Sequence, residues 1–150
     1  MLATRRPRFT NGSLMDDFKM VLGLDYGRRK MGAAIGQKAT GATRPLSIIH
    51  MKEREPDWLT LDEIVAEWKP DIVVIGKPTN LDGSPHTLEL EIEKLGSRIS
   101  NRYETTVCFV DEHLSSQMAI EKRKSKKKPP LDSIAAGLIL ETWFDEQENY

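Results

Sequence analysis

The chain has 150 residues, with 22 Lys+Arg against 23 Asp+Glu, a net charge of −1 and 39% hydrophobic residues. That size and balance fit one globular domain whose core needs no disulfide or structural metal, and they exclude a disordered or fibrous chain. The longest apolar run, Ile134–Leu140, is far short of the roughly 20 residues of a membrane-spanning helix, so no membrane association is expected.

Residues 1–18 hold Arg5, Arg6 and Arg8 and an Asn11-Gly12-Ser13 turn, without apolar periodicity. They read as a flexible N-terminal arm, with the domain over 19–150. No apolar signal region stands out there, and Cys108 has no cysteine partner. A reducing, cytoplasmic setting is the expectation.

From Met20 the pattern is regular. Val21–Leu24 predicts a buried strand ending at Asp25. A short glycine-bearing turn through Gly27 leads to a second strand of small residues, Met31–Gly36, so the two form an antiparallel hairpin. Pro45–Ile49 predicts a third strand. Trp58, Leu61, Val65 and Trp68 then share one face of a helix that Pro70 ends. Residues 53–71 carry seven acids against Arg54 and Lys69.

Asp71–Ile75 predicts a fourth strand, followed by a polar loop from Gly76. Ser84 and Pro85 suit the cap and first residue of a second helix bearing Leu88, Ile92, Leu95 and Ile99. Thr106–Val110 predicts the fifth strand, which runs into Asp111-Glu112. Residues 122–128, KRKSKKK, then place six cations in seven positions. A last helix is expected from Asp132 to Phe144. Strands joined by helices must cross over and run parallel, so the expectation is an α/β fold with a five-stranded mixed sheet, an antiparallel hairpin plus parallel crossover strands.

In open α/β sheets ligands gather beyond the carboxyl ends of parallel strands. Asp25 and Glu112 fall there, and Asp132 opens the last helix. Clustered carboxylates are costly unless a cation neutralises them, and oxygen ligands select hard ions such as Mg²⁺ or Mn²⁺. Taken singly, Asp132 reads as a helix N-cap, Asp25 as a hairpin residue and Glu112 as a strand end. Ser115 and Ser116 read as helix caps, Cys108 as a small buried residue, and Trp58 and Trp68 as core. The lysine run lies between Glu112 and Asp132, where it can contact a phosphate backbone without sequence preference.

These segments resemble, in order, the motifs of the YqgF family of Holliday-junction-resolvase-like nucleases. Asp25-Tyr26-Gly27-Arg28-Arg29-Lys30-Met31-Gly32-Ala33-Ala34 is similar to D-x-G-x-x-R-I-G-x-A, and Pro45-Leu46 to the next landmark. Gly76–Ser84 resembles G-x-P-x-N-x-D-G-S, Asp111–Ser116 resembles D-E-R-L-[ST]-[ST], and Asp132–Ala136 resembles D-x-x-A-A. The resemblance spans roughly residues 20–145 and implies an RNase H-like fold.

It also implies that Asp25, Glu112 and Asp132 are the acidic triad of a Mg²⁺- or Mn²⁺-dependent nuclease, with Asp25 bridging two ions. The implied substrate is a precursor ribosomal RNA end, in the setting of ribosomal particles, or branched DNA, cut by a monomer or homodimer. Nucleic-acid contacts are expected at Lys30, Lys77, Asn80, Arg123, Lys124, Lys126, Lys127 and Lys128. The chain departs from the family pattern at Lys30, Lys77 and His113. Lys30 keeps the charge of an arginine but not its bidentate phosphate geometry, and His113 lacks a fixed charge at pH 7.

Two other classes compete. Actin-like ATPases and sugar kinases also place D-x-G after a first strand, but they need a second lobe, for which 131 residues from Met20 are too few. A catalytically silent nucleic-acid-binding module would be expected to lack one of the three acids.

Overall fold

A computed structural model describes residues 19–78, 88–111 and 131–148. Residues 1–18, expected as an N-terminal arm, residues 79–87 with Asn80, and residues 112–130 with Glu112 and the lysine run lie outside the described residues. Seven strands form one mixed sheet: β1 (Met20–Asp25), β2 (Lys30–Gln37), β3 (Thr43–Pro45), β4 (Ile49–Lys52), β5 (Glu55–Pro56), β6 (Ile72–Lys77) and β7 (Thr106–Asp111). Their order is β5-β4-β2-β1-β6-β7, with β3 also pairing β2. The described helices are α1 (Trp58–Trp68), α2 (Glu89–Tyr103) and α3 (Leu131–Glu148). No described helix is long and apolar enough to cross a membrane.

The predicted frame is present, with a different strand count. β1 and β2 pair antiparallel, β1 and β6 parallel, and β6 and β7 parallel. The single strand expected at 45–49 is two. β3 pairs with the far half of β2 through Ala34↔Pro45, and β4 with its near half through Lys30↔His50 and Met31↔Ile49. Leu46 N–H still donates to the Ala33 carbonyl at 2.8 Å, after which the chain leaves β2 and rejoins it at Ile49. β4 then turns back tightly into β5, a hairpin that apolar periodicity does not mark.

Strand alternation divides the core into two layers. Leu22, Leu24, Met31, Ile35, Val73 and Ile75 face α1 and α2, where Leu61, Ile64, Ile92, Leu95 and Ile99 meet them. Val21, Ala34, Ile72, Val74 and Val110 face Ala136, Ile139, Leu140 and Trp143 of α3. The whole of Ser133–Leu140 is buried, so α3 is a core helix. Trp58 and Trp68 are half-buried at the margin of the first layer, outside its centre. The Cys108 side chain is likewise half-buried, and burial pushes its thiol pKa up.

Local chemistry sets the ends. The Asp57 carboxylate accepts from Leu59 N–H at 3.2 Å and caps α1, which stops at Lys69 in the left-handed region, just before Pro70. Asp71 Oδ2 accepts from the N–H groups of Lys19 and Met20 at 2.8 and 3.1 Å, while its own carbonyl accepts from Thr105 Oγ1 at 3.0 Å. One residue thus fixes the amino ends of β1, β6 and β7 and sets their register.

Candidate active site at the carboxyl edge of the sheet

With their amino ends aligned, β1, β6 and β7 finish together. Leu24 pairs with Ile75, Ile75 with Phe109, and Lys77 with Asp111. Asp25, half-buried, therefore stands level with Gly76 and Val110 at one edge. It follows Val21 and Gly23 in the period-two alternation, which assigns it to the α3 face.

Two glycines let α3 lie directly on that face. A Cβ at Gly23 would stand 2.6 Å from Leu140 Cγ and 3.0 Å from the Ala136 carbonyl oxygen. A Cβ at Gly36, which pairs with Val21, would meet Phe144 at 2.9 Å. Moving along β1 from Val21 toward Asp25 thus moves back along α3 from Phe144 toward its first turn. From Gly23 to Asp25 the strand advances about 6.6 Å. From Ala136 back to Asp132 the helix covers about 6 Å. The backbone of Asp132, second residue of α3, is brought to the level of Asp25. Ser133 anchors this turn, its hydroxyl donating to the Leu46 carbonyl at 2.8 Å.

Glu112, the residue after β7, and the side chain of Asp132 lie outside the described residues. Among the described residues no group of three His, Cys, Asp or Glu side chains converges as a metal cage. Asp25 contributes carboxylate oxygens to this edge, a donor type that suits hard divalent ions.

The expected cationic contacts are placed unequally. Lys30 is exposed at the start of β2, beside the turn that follows Asp25. Lys77 is engaged within the protein: its ammonium is 2.9 Å from both Glu89 and Glu93 of α2 and lies 5.2 Å from the centre of the Phe109 ring. Those carboxylates raise its pKa. Lys77 thus ties the end of β6 to the first turns of α2 rather than standing open at the edge. Asn80, Arg123, Lys124, Lys126, Lys127 and Lys128 lie outside the described residues.

One cluster at this edge is not foreseen from the sequence. Glu91 of α2 accepts from Tyr26 Oη at 2.8 Å and from Arg28 at 2.6 and 3.3 Å, and Arg54 Nε stands 3.4 Å away. Burial, reinforced by this carboxylate, pushes the Tyr26 phenol up to about 12. Glu91 itself is held below the usual carboxylate range, first by Arg28. The turn after Asp25 is thereby clamped to α2. No linear signal marks it, because Glu91 is 37 to 65 positions from its three partners and Arg54 sits within an acid-rich stretch.

Residues 19–146 match the family model described as RuvX, Holliday junction resolvase. A protein of Pseudomonas paraeruginosa named "Putative pre-16S rRNA nuclease" is 36% identical over 137 residues, covering 87% of this chain and 95% of its own. One of the same name from Hydrogenovibrio crunogenus is 40% identical over 126 residues, covering 84% and 93%. Among solved structures, Thermus thermophilus RuvC in complex with a Holliday junction substrate matches with a TM-score of 0.57 at 15% identity, over 86% of this chain and 96% of that one. The fowlpox virus Holliday junction resolvase matches at 0.52 and 17%, over 86% and 99%. These two support the RNase H-like fold. With the motifs in order on that fold and the family model spanning nearly every described residue, the chain belongs to the RuvX (YqgF) family of nucleases, hydrolases of phosphodiester bonds.

Proposed function

We propose that the carboxyl edge of β1, β6 and β7 cuts phosphodiester bonds with the help of Mg²⁺ or Mn²⁺, and that the substrate is a 16S rRNA precursor in the cytoplasm, in the setting of ribosomal particles. The observation that carries this reading is the approach of α3 to Gly23, which brings the backbone of Asp132 level with Asp25. Asp25, Glu112 and Asp132 would hold the ion. When bound, such an ion lowers the pKa of water and stabilises the leaving oxygen. The chain's own contribution is rigidity: Asp71 sets the strand register, and Gly23, Gly36 and Ser133 fix α3 against it. Lys30, Asn80, Arg123, Lys124, Lys126, Lys127 and Lys128 would hold the nucleic-acid backbone; Lys77 would do so only by leaving Glu89 and Glu93.

The family description and the likeness to RuvC support a second reading, the four-way DNA junction, for which a homodimer would cut opposed strands. The test is cleavage by purified protein of a precursor 16S rRNA fragment and of a four-way DNA junction, with Mg²⁺, Mn²⁺ or EDTA. Metal-dependent cleavage of the RNA with little action on the junction is expected. Undiminished cleavage in EDTA would overturn the metal-nuclease reading, and junction cleavage alone would replace the substrate.

A further inference from the structure

Two hairpin turns far apart in sequence lie side by side at the edge that carries Asp25. Because β4 runs antiparallel to β2, with Lys30↔His50 in register, its carboxyl end emerges beside the β1–β2 turn. Met51 N–H donates to the Arg29 carbonyl at 2.8 Å and closes the two turns together. Arg28, Arg29, Lys30, Lys52 and Arg54 are all exposed there. The Glu91 carboxylate pairs with both Arg28 and Arg54, while Glu55 is taken by Arg98 at 2.6 and 2.8 Å. The acid-rich stretch at 53–71 thus presents positive charge at this end.

Two features indicate a built surface. The single Glu91 carboxylate lies between the guanidiniums of Arg28 and Arg54, at 2.6 and 3.4 Å, and orients both while their side chains stay 50% and 62% exposed. A carboxylate seated between two arginines fixes the planar fork that also grips phosphate oxygens. The β4–β5 turn, moreover, holds Glu53 and Arg54 at φ 54° and 66°, a two-residue conformation suited to asparagine and glycine. Arginine occupies a position where glycine would be less strained.

We propose that Arg28, Arg29, Lys52 and Arg54, at the paired β1–β2 and β4–β5 turns, form a second contact for the phosphodiester backbone, made by residues other than the lysine run. The proposal rests on the nuclease reading and specifies where its substrate lies. β4 is two strand spacings, roughly 10 Å, from β1, so this surface meets phosphates a few nucleotides from the one at Asp25. The contact is to backbone charge and carries no base preference.

The test measures binding in EDTA as a function of salt, on the precursor rRNA fragment and on the four-way DNA junction. Variants are Arg28→Gln/Arg54→Gly, Arg29→Gln/Lys52→Gln and, as a control, Arg98→Gln/Arg102→Gln on the α1–α2 surface. The first two should weaken binding and reduce the log Kd against log salt slope by about 0.7 to 0.9 for each phosphate no longer neutralised, while the control keeps the parent slope. Arg54→Gly alone should leave the melting temperature unchanged or raised as its binding falls, which separates a role in binding from one in folding. An effect on RNA alone or on DNA alone identifies which polymer uses the surface. If the parent binds both polymers with a normal salt slope and neither double variant differs from it, this surface is overturned and the nuclease reading stands. If the parent binds neither polymer, both are overturned.

Discussion

Two charged surfaces of this molecule obey opposite rules. Across the outer side of α1 and α2, each arginine meets its own carboxylate. Arg98 donates twice to Glu55 at 2.6 and 2.8 Å, and Arg102 twice to Asp62 at 2.8 Å. Trp58 lies under both guanidiniums, at 5.1 and 4.7 Å, and Tyr103 Oη also donates to Asp62. Around the turns at the carboxyl edge, by contrast, Arg28, Arg29, Lys30, Lys52 and Arg54 are exposed together, and one carboxylate, Glu91, is shared by two of them. Pairwise matching of exposed charge adds little free energy, about 0–1 kcal/mol per pair, but it fixes how one helix sits on another. An excess of one sign costs self-repulsion and makes sense where a polyanion supplies the missing charge. The first surface is architecture, and the second is consistent with a nucleic-acid substrate.

The sharpest way to break this comparison is to exchange one group in each region. Asp25→Asn keeps the size of the side chain but removes its charge at the edge. Cleavage by this variant should fall by on the order of a thousandfold or more, as when one member of a catalytic unit is removed. Nucleic-acid binding should persist. Arg102→Gln, on the matched surface, should leave the cleavage rate within about twofold and lower the melting temperature only slightly. Single-turnover cleavage and thermal melting of both variants decide it. Equal effects on cleavage would erase the distinction.

A second test goes to the packing that brings the site together. Adding one methyl at Gly23 forces its Cβ against Leu140 Cγ at 2.6 Å and the Ala136 carbonyl at 3.0 Å. Only the leucine end can give way, so Gly23→Ala should cost about 1–3 kcal/mol. It should also lower cleavage, by displacing the first turn of α3 from Asp25. A matching overpacking at Gly96, whose Cβ would meet the Phe109 ring at 2.8 Å, should destabilise without that fall in cleavage, because Phe109 is 38% exposed and its ring can swing outward. Denaturant melts and cleavage rates, measured together, separate the two.

What the sequence revealed and what it hid follow from the range of the interactions involved. The hairpin, the crossover strands and the three described helices were legible because apolar periodicity is local: Val21–Leu24, Asp71–Ile75 and the Leu88, Ile92, Leu95, Ile99 face each carry their own signal. Asp25 and the family motifs were legible for the same reason. The split of Pro45–Ile49 into two strands depends on which half of β2 each piece meets, a nonlocal fact. Trp58 read as core because its spacing fits the apolar face, yet arginines from α2 cover its ring. Lys77 read as a substrate contact because it follows a strand, and only folding brings Glu89 and Glu93 to it. Glu91 and the two turns could be found only once β2 and β4 had paired.

The smallest expected effect concerns pH, and it falls on the matched surface. Arg98 holds the Glu55 carboxyl down to about 2 from 4.5, and Arg102 holds that of Asp62 down to about 2 from 3.8. A carboxylate whose pKa is depressed by folding binds protons more readily when unfolded, so its stabilisation is complete above the unfolded pKa and disappears as pH falls toward the folded one. The window therefore runs from about pH 4.5 down to about pH 2. Both groups are exposed, and solvent screening keeps their contribution small. Other carboxylates titrate in the same range, so the informative quantity is a difference. In Glu55→Gln/Asp62→Asn the melting temperature should lie slightly below that of the parent at neutral pH, and the gap should narrow as both are acidified through the window. A gap that stays constant down to about pH 2 would mean that neither carboxylate's charge contributes, and that Trp58 stacking with Leu61 and Ile64 burial hold α1 in place without them.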